Sequence, residues 1–204
     1  MREKAIVHVV DDDKPTRDIM CEMINARGLR IKSYISAEDF LEKYTENQLE
    51  SLVLDIRMPG ISGMELLAKL SDNNISLPVV VVTGHGDIPM AVDALNMGAV
   101  DFLEKPFREQ SLYESINKAL ETCKTIRSSR QSQNELKEAL SHLTERDIDA
   151  LKLLLEGYSD KQVANKLGIS RRAVAFHRSH ILEKTGFDNI VSLATLMTKV
   201  NISL

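Results

Sequence analysis

Asp55 ends the apolar run Leu52-Val53-Leu54 abruptly, and Met58-Pro59-Gly60 turns the chain just beyond it. Pro and Gly punctuate regular structure, so the carboxylate sits where the chain leaves a core. Asp11, Asp12 and Asp13 follow the apolar run at residues 5–10. Thr83 follows the run at 77–82, and Lys105 comes shortly after the run at 100–103. Each residue has an ordinary role open to it. Asp55 could be a turn or capping acid, Asp13 a helix start, Thr83 a turn residue and Lys105 a solvated charge. Brought together, they would do one kind of chemistry. Close carboxylates repel unless a cation neutralises them. Carboxylate oxygens plus waters suit Mg²⁺, which readily adds phosphate oxygens. A carboxylate left open beside such a cation can attack phosphorus. The arriving phosphoryl group carries spread negative charge, which a metal, an ammonium and a hydroxyl stabilise. The set reads as a magnesium-assisted phosphoryl acceptor with Asp55 as nucleophile. The acids come from distant segments, which excludes a calcium EF-hand. No Gly-x4-Gly-Lys-Ser/Thr loop is present, which excludes a P-loop.

Whether these residues meet depends on the elements that carry them. The runs at 5–10, 29–34, 51–54, 77–82 and 100–103 read as buried strands. Between them lie helical patterns. One covers about residues 15–27, with Ile19, Met20, Met23 and Ile24 on one face and Gly28 as its stop. Others open at Ser36, cover 63–71 and 87–97, and start near Ser111 with Leu112, Ile116 and Leu120 on one face. Five strands alternating with five helices predict an α/β fold, a doubly wound parallel sheet covered on both faces. Such sheets bind ligands beyond the carboxyl ends of their strands, where all the residues above fall.

The net charge of −4 hides an asymmetry. Residues 1–122 carry 13 Lys/Arg against 21 Asp/Glu, while residues 123–204 carry 13 against 9. An acidic first part and a basic second part predict two modules with different partners. No apolar run reaches the roughly 18 residues of a membrane span. The apolar stretch after the first residues is too short for a signal peptide. A cytoplasmic protein without membrane contact is expected. Cys21 and Cys123 lie far apart in helical patterns, so neither a disulfide nor a metal site is expected from them.

Residues 123–140 form a polar, Ser-containing bridge without Pro or Gly. Both a flexible tether and an extension of the preceding helix fit it. From Leu143 the pattern is helical throughout. Thr144 opens a helix with Asp147 in capping-box position, and Ile148, Leu151, Leu154 and Leu155 form its apolar face. Ser159 opens a short helix ended by Gly168. Ser170 opens a third, running to about Thr185, and a final helix spans about 189–199. Two short helices joined by Leu167-Gly168-Ile169-Ser170 read as a helix-turn-helix, whose second helix can enter the major groove of DNA. That helix carries Arg171, Arg172, Arg178 and Lys184, with His177 and His180 nearby. Cations there suit phosphate contacts; a solvated charged face is the plainer alternative.

Residues 1–122 resemble a response-regulator receiver domain. The resemblance is carried by Val-Asp-Asp-Asp near the start, Leu-Asp-Ile-Arg-Met-Pro-Gly-Ile-Ser-Gly, Val-Thr-Gly-His-Gly-Asp and Asp-Phe-Leu-Glu-Lys-Pro-Phe. It implies a flavodoxin-like sheet of order 2-1-3-4-5. It also implies that Asp55 accepts a phosphoryl group from a sensor histidine kinase. Asp11, Asp12, Asp55 and the Arg57 carbonyl would hold Mg²⁺, and Thr83 and Lys105 would contact the phosphoryl oxygens. Thr83 and Phe102 occupy the switch positions, Phe102 without the hydroxyl of the more usual Tyr. Arg57 and His85, two residues past Asp55 and Thr83, would slow water attack on an aspartyl phosphate, or simply cover the surface. Residues 141–204 resemble a LuxR-type DNA-binding domain, on Leu-Thr-Glu-Arg-Asp, Leu-Leu-Glu-Gly-Tyr-Ser-Asp-Lys-Gln-Val-Ala and Leu-Gly-Ile-Ser-Arg-Arg-Ala-Val-Ala-Phe-His-Arg. By that resemblance Lys161, Arg171, Arg172, Arg178 and Lys184 touch phosphates, while Ala175, Phe176 and Ser179 face base edges. Ala175 and Phe176 offer only apolar contacts, for instance to thymine methyls.

In series, the two resemblances imply a FixJ/NarL-type response regulator. Phosphorylation would favour a homodimer through residues 87–104, binding promoter DNA and engaging RNA polymerase. Its only catalysis would be its own phosphorylation and dephosphorylation. The rival is a phosphorylation-independent DNA- or partner-binding regulator with a vestigial acidic site.

Overall fold

The computed structural model describes residues 5–47, 49–84 and 88–204. The chain divides into two compact units between Arg127 and Ser128. In the first, strands β1 (Ile6–Val10), β2 (Arg30–Tyr34), β3 (Glu50–Asp55), β4 (Val79–Thr83) and β5 (Asp101–Glu104) alternate with helices α1 (Lys14–Ala26), α2 (Ala37–Lys43), α3 (Gly63–Asp72), α4 (Ile88–Asn96) and the start of α5 (Glu109–Ser141). Every strand pairing is parallel, in the order β2-β1-β3-β4-β5. The expected doubly wound sheet is therefore present.

The two-residue strand period sorts the core into two layers. Val10, Leu52, Leu54, Val79 and Val81 pack with Phe40, Leu66 and Leu70 from α2 and α3. Val7, Val9, Val53 and Val82 pack with Met20 and Ile24 from α1 and with Leu112, Ile116 and Leu120 from α5. Each such buried side chain stabilises by about 1.5–3 kcal/mol. Register matters for the same reason. Val9 lies opposite Val53, and Asp55 opposite Val82. A one-residue slip of β3 would exchange its two faces and misplace Asp55.

His8 stands in the middle of β1, fully buried. Its Nδ1 lies 3.0 Å from the Tyr34 hydroxyl and its Nε2 3.2 Å from Glu50 Oε2. Glu50 also accepts from the Tyr44 hydroxyl at 2.7 Å and from Asn47 at 3.0 Å. Burial pushes the Glu50 carboxyl up, but these donors outweigh it and leave its pKa below the ordinary value.

The second unit is helical: the last turns of α5, then α6 (Glu145–Leu155), α7 (Asp160–Leu167), α8 (Arg171–Thr185) and α9 (Ile190–Lys199). Leu136, Leu151, Val163, Val174, Ile181, Leu193 and Met197 form its core. Gly168, between α7 and α8, has φ of +65°, a left-handed conformation that glycine adopts without strain. Ser170 then caps α8 by accepting from the Ala173 amide. The α7–turn–α8 pair is the predicted helix-turn-helix.

Candidate phosphoacceptor site and nucleic-acid interface

The carboxyl rim of the sheet gathers the expected residues from four strand ends. Asp11 follows β1, Asp55 and Thr83 end β3 and β4, and Lys105 follows β5. Asp11 and Thr83 are fully buried and Asp55 nearly so. Lys105 Nζ bridges the two acids, 2.6 Å from Asp11 Oδ2 and 3.1 Å from Asp55 Oδ2. Burial pushes the Asp11 carboxyl above the ordinary range, and the Lys105 ammonium offsets this only in part. Burial also works against the charge on Lys105. The hydrogen bond to Asp11 and the field of both carboxylates outweigh it, so the lysine pKa is raised.

One ligand atom from each of Asp11, Asp12 and Asp55 lies within 4.8 Å of the others. Asp12 is exposed while its two partners are buried. The cluster thus combines an inner wall with one carboxylate open to solvent. Hard oxygen donors at this spacing, around a position where a cationic ammonium already bonds two of the acids, fit a divalent cation such as Mg²⁺. Asp13 takes another role. It caps α1, accepting from the amide and hydroxyl of Thr16 at 3.0 and 2.5 Å.

Two backbone contacts hold the rim in place. Gly63, the first residue of α3, donates its amide to the Ile56 carbonyl at 2.9 Å. A Cβ there would lie 2.1 Å from the Asp55 carbonyl oxygen. The buried Arg17 donates from Nη1 to the Asp11 carbonyl at 2.6 Å. Arg17 does not stand out in the sequence. Its spacing with Met20 and Ile24 on the buried face of α1 is the signal that could have found it: a cation at a core position needs a partner.

Arg57 is exposed, and its amide lies 3.4 Å from Asp55 Oδ1. Phe102 is half-buried in β5, against the core layer of α2 and α3. His85 and the first residue of the 87–104 face lie outside the described residues. On α4, Val92 and Leu95 are exposed.

In the helical unit, Arg171, Arg172, Ala175, Phe176 and Ser179 are exposed at spacings that place them along one side of α8. Lys161 on α7 and Lys184 near the end of α8 are exposed as well. Arg178 is turned elsewhere. Its guanidinium pairs with Asp160 in the first turn of α7.

Comparison with known proteins matches both units. The model of the response regulator receiver domain matches residues 7–117. That of the bacterial regulatory proteins of the luxR family matches residues 141–197. The transcriptional regulatory protein FixJ of Rhizobium meliloti is 40% identical over 178 residues, 87% of each chain. The response regulator protein TodT of Pseudomonas putida is 36% identical over 200 residues, 98% of this chain and 88% of TodT. Among solved structures, the response regulator StyR superposes with a TM-score of 0.80 at 38% identity, over 97% of this chain and all of StyR. Full-length FixJ from B. japonicum gives 0.58 at 29% identity, over 98% of both chains. With the rim residues gathered as described and the matches running through both units, this chain belongs to the response regulators of two-component signalling, in the class that joins a receiver domain to a LuxR-type DNA-binding domain.

Proposed function

We propose that the chain is a phosphorylation-controlled transcription factor in which Asp55 accepts the phosphoryl group of a sensor kinase's phosphohistidine. An Asp55 carboxylate oxygen attacks phosphorus, a P–O bond forms, and the P–N bond breaks with its electron pair returning to the imidazole. The bridging position of Lys105, bonded to both Asp11 and Asp55, carries this reading. An ammonium held there can bond a phosphoryl oxygen on arrival, and the Thr83 hydroxyl at the neighbouring strand end can bond a second. Asp11, Asp12 and Asp55, with the Arg57 carbonyl, would hold Mg²⁺, which supplies charge neutralisation for the acids and the incoming phosphate. Arg57 stands by the rim, where its bulk hinders the water that would hydrolyse the product. Thr83 and Phe102 then relay the change through packing, and the chain's own phosphorylation and dephosphorylation are its only catalysis.

The exposed Val92 and Leu95 support a dimer face on α4 and β5. Two DNA-binding units would then reach one palindromic promoter site, with RNA polymerase as the further partner. Arg171, Arg172, Lys161 and Lys184 contact phosphates, and Ala175, Phe176 and Ser179 face bases. Arg178 serves the packing of α7 on α8. No described helix is long and apolar enough to cross a membrane.

The test uses acetyl phosphate and Mg²⁺. The wild-type chain should gain the mass of one phosphoryl group and shift towards dimer, while Asp55→Asn does neither. Equal dimer fractions in the two proteins would favour a regulator that ignores phosphorylation.

A further inference from the structure

Phe176 is 66% exposed on α8, where burial gives its ring little. Its surroundings are nonetheless ordered. One turn further along, the His180 ring lies nearly parallel to it, 9° between planes and 6.0 Å between centroids. His177 meets it edge-on at 73° and 5.8 Å. Both imidazoles are anchored on one carboxylate. His177 Nδ1 is 2.7 Å from Asp147 Oδ1, and His180 Nδ1 is 3.0 Å from Asp147 Oδ2. Asp147 is itself 1% exposed and fixed in the first turn of α6. The Thr144 amide and hydroxyl donate to its Oδ2 at 3.0 and 2.6 Å. A buried carboxylate accepts only, so each ring must present Nδ1–H to it. A flip of either ring would take one donor from the buried carboxylate, His177 from Oδ1 and His180 from Oδ2, which is costly.

We propose that Asp147, His177 and His180 are positioning residues that hold Phe176 as a pre-set apolar reader of DNA, with His180 setting the plane of its ring. This rests on the reading of α8 as the DNA-facing helix and of Phe176 as a base contact. The group it would read is the thymine methyl, the apolar feature on the major-groove edges of the bases. A ring already held in place loses less conformational freedom on docking than a free one. If His180 merely covers the surface of α8, its removal leaves methyl recognition untouched.

The test uses the full chain and a duplex it selects from a random-sequence pool. Each thymine of that duplex is replaced in turn by deoxyuridine, which removes only the methyl. Wild type should lose about two- to tenfold in affinity at one thymine per half-site. Phe176→Ala should abolish that loss. His180→Ala should shrink it at least by half on a logarithmic scale while affinity for a scrambled duplex stays unchanged, both read well below the unfolding temperature, which falls because Asp147 loses a donor. His180→Phe, which keeps a ring, should restore part of it. Adding His180→Ala to Phe176→Ala should change nothing further. Persistence of the methyl effect in Phe176→Ala, or its absence in wild type, defeats the base-contact reading and this inference with it. A full effect in His180→Ala, beside its loss in Phe176→Ala, defeats the positioning role alone. Additive losses in the double variant do the same.

Discussion

Asp147 is almost wholly buried, and what keeps it ionised is its set of donors. Burial pushes its carboxyl up, but the bonds from Thr144, His177 and His180 outweigh that and hold it at about 2. A carboxyl held below its ordinary value of about 4 adds stability that is fully present above that value. The contribution is lost as pH falls from about 4 towards about 2, and is worth roughly 2 kcal/mol. Asp147→Asn should therefore destabilise the helical unit by roughly that amount at neutral pH. The gap to wild type should close as pH falls through the same window. Native-state hydrogen exchange at the buried Leu151 and Ile181 amides reads it within the full chain. A gap that stays constant down to pH of about 2 contradicts the assignment. The sequence shows Asp147 as a capping residue, and it is one. It does not show the imidazole clamp, because the clamp joins residues 30 and 33 positions apart on different helices.

At the scale of elements, the contact between α3 and the end of β3 decides how well Asp55 is placed. Gly63 brings the start of α3 against the Asp55 carbonyl, and a Cβ would also fall 2.8 Å from the Ile56 Cα. Both obstacles are backbone, so α3 would have to move. Gly63→Ala should cost about 1–3 kcal/mol in urea unfolding, the usual cost of overpacking. It should also slow phosphoryl uptake from acetyl phosphate, because the acceptor strand end shifts. Wild-type stability together with a wild-type rate would remove the claim. The strand ends were legible from sequence because apolar runs stop where the chain leaves the core, so Asp55, Thr83 and Lys105 could be placed on one rim. The approach of Gly63 to Asp55 was not. A glycine before a helical pattern looks the same whether it meets open space or another backbone. For the bridge, the lack of breakers left tether and helix both open, since only a weak apolar stripe continues from Leu120 through Cys123 and Ile126. The structure forms one helix from Glu109 to Ser141, and the division between the units falls within it.

For the molecule as a whole, charge is sorted between an acidic receiver and a more basic helical unit. Yet formal charge overstates what a polyanion can meet. Arg178 is already joined to Asp160, so releasing it would break the tie between α7 and α8. DNA affinity falls with rising salt in proportion to the cations that displace ions condensed on the duplex. Replacing Arg171 or Arg172 by Ala should therefore flatten the logarithmic salt dependence by about one. Arg178→Ala should leave that slope as it was, whatever it does to stability. Equal flattening in all three would mean that the guanidinium swings over to the duplex. Otherwise each copy of the chain approaches DNA with one arginine of α8 already neutralised from within, and its hold on the duplex should be less sensitive to ionic strength than the arginine content of that helix suggests.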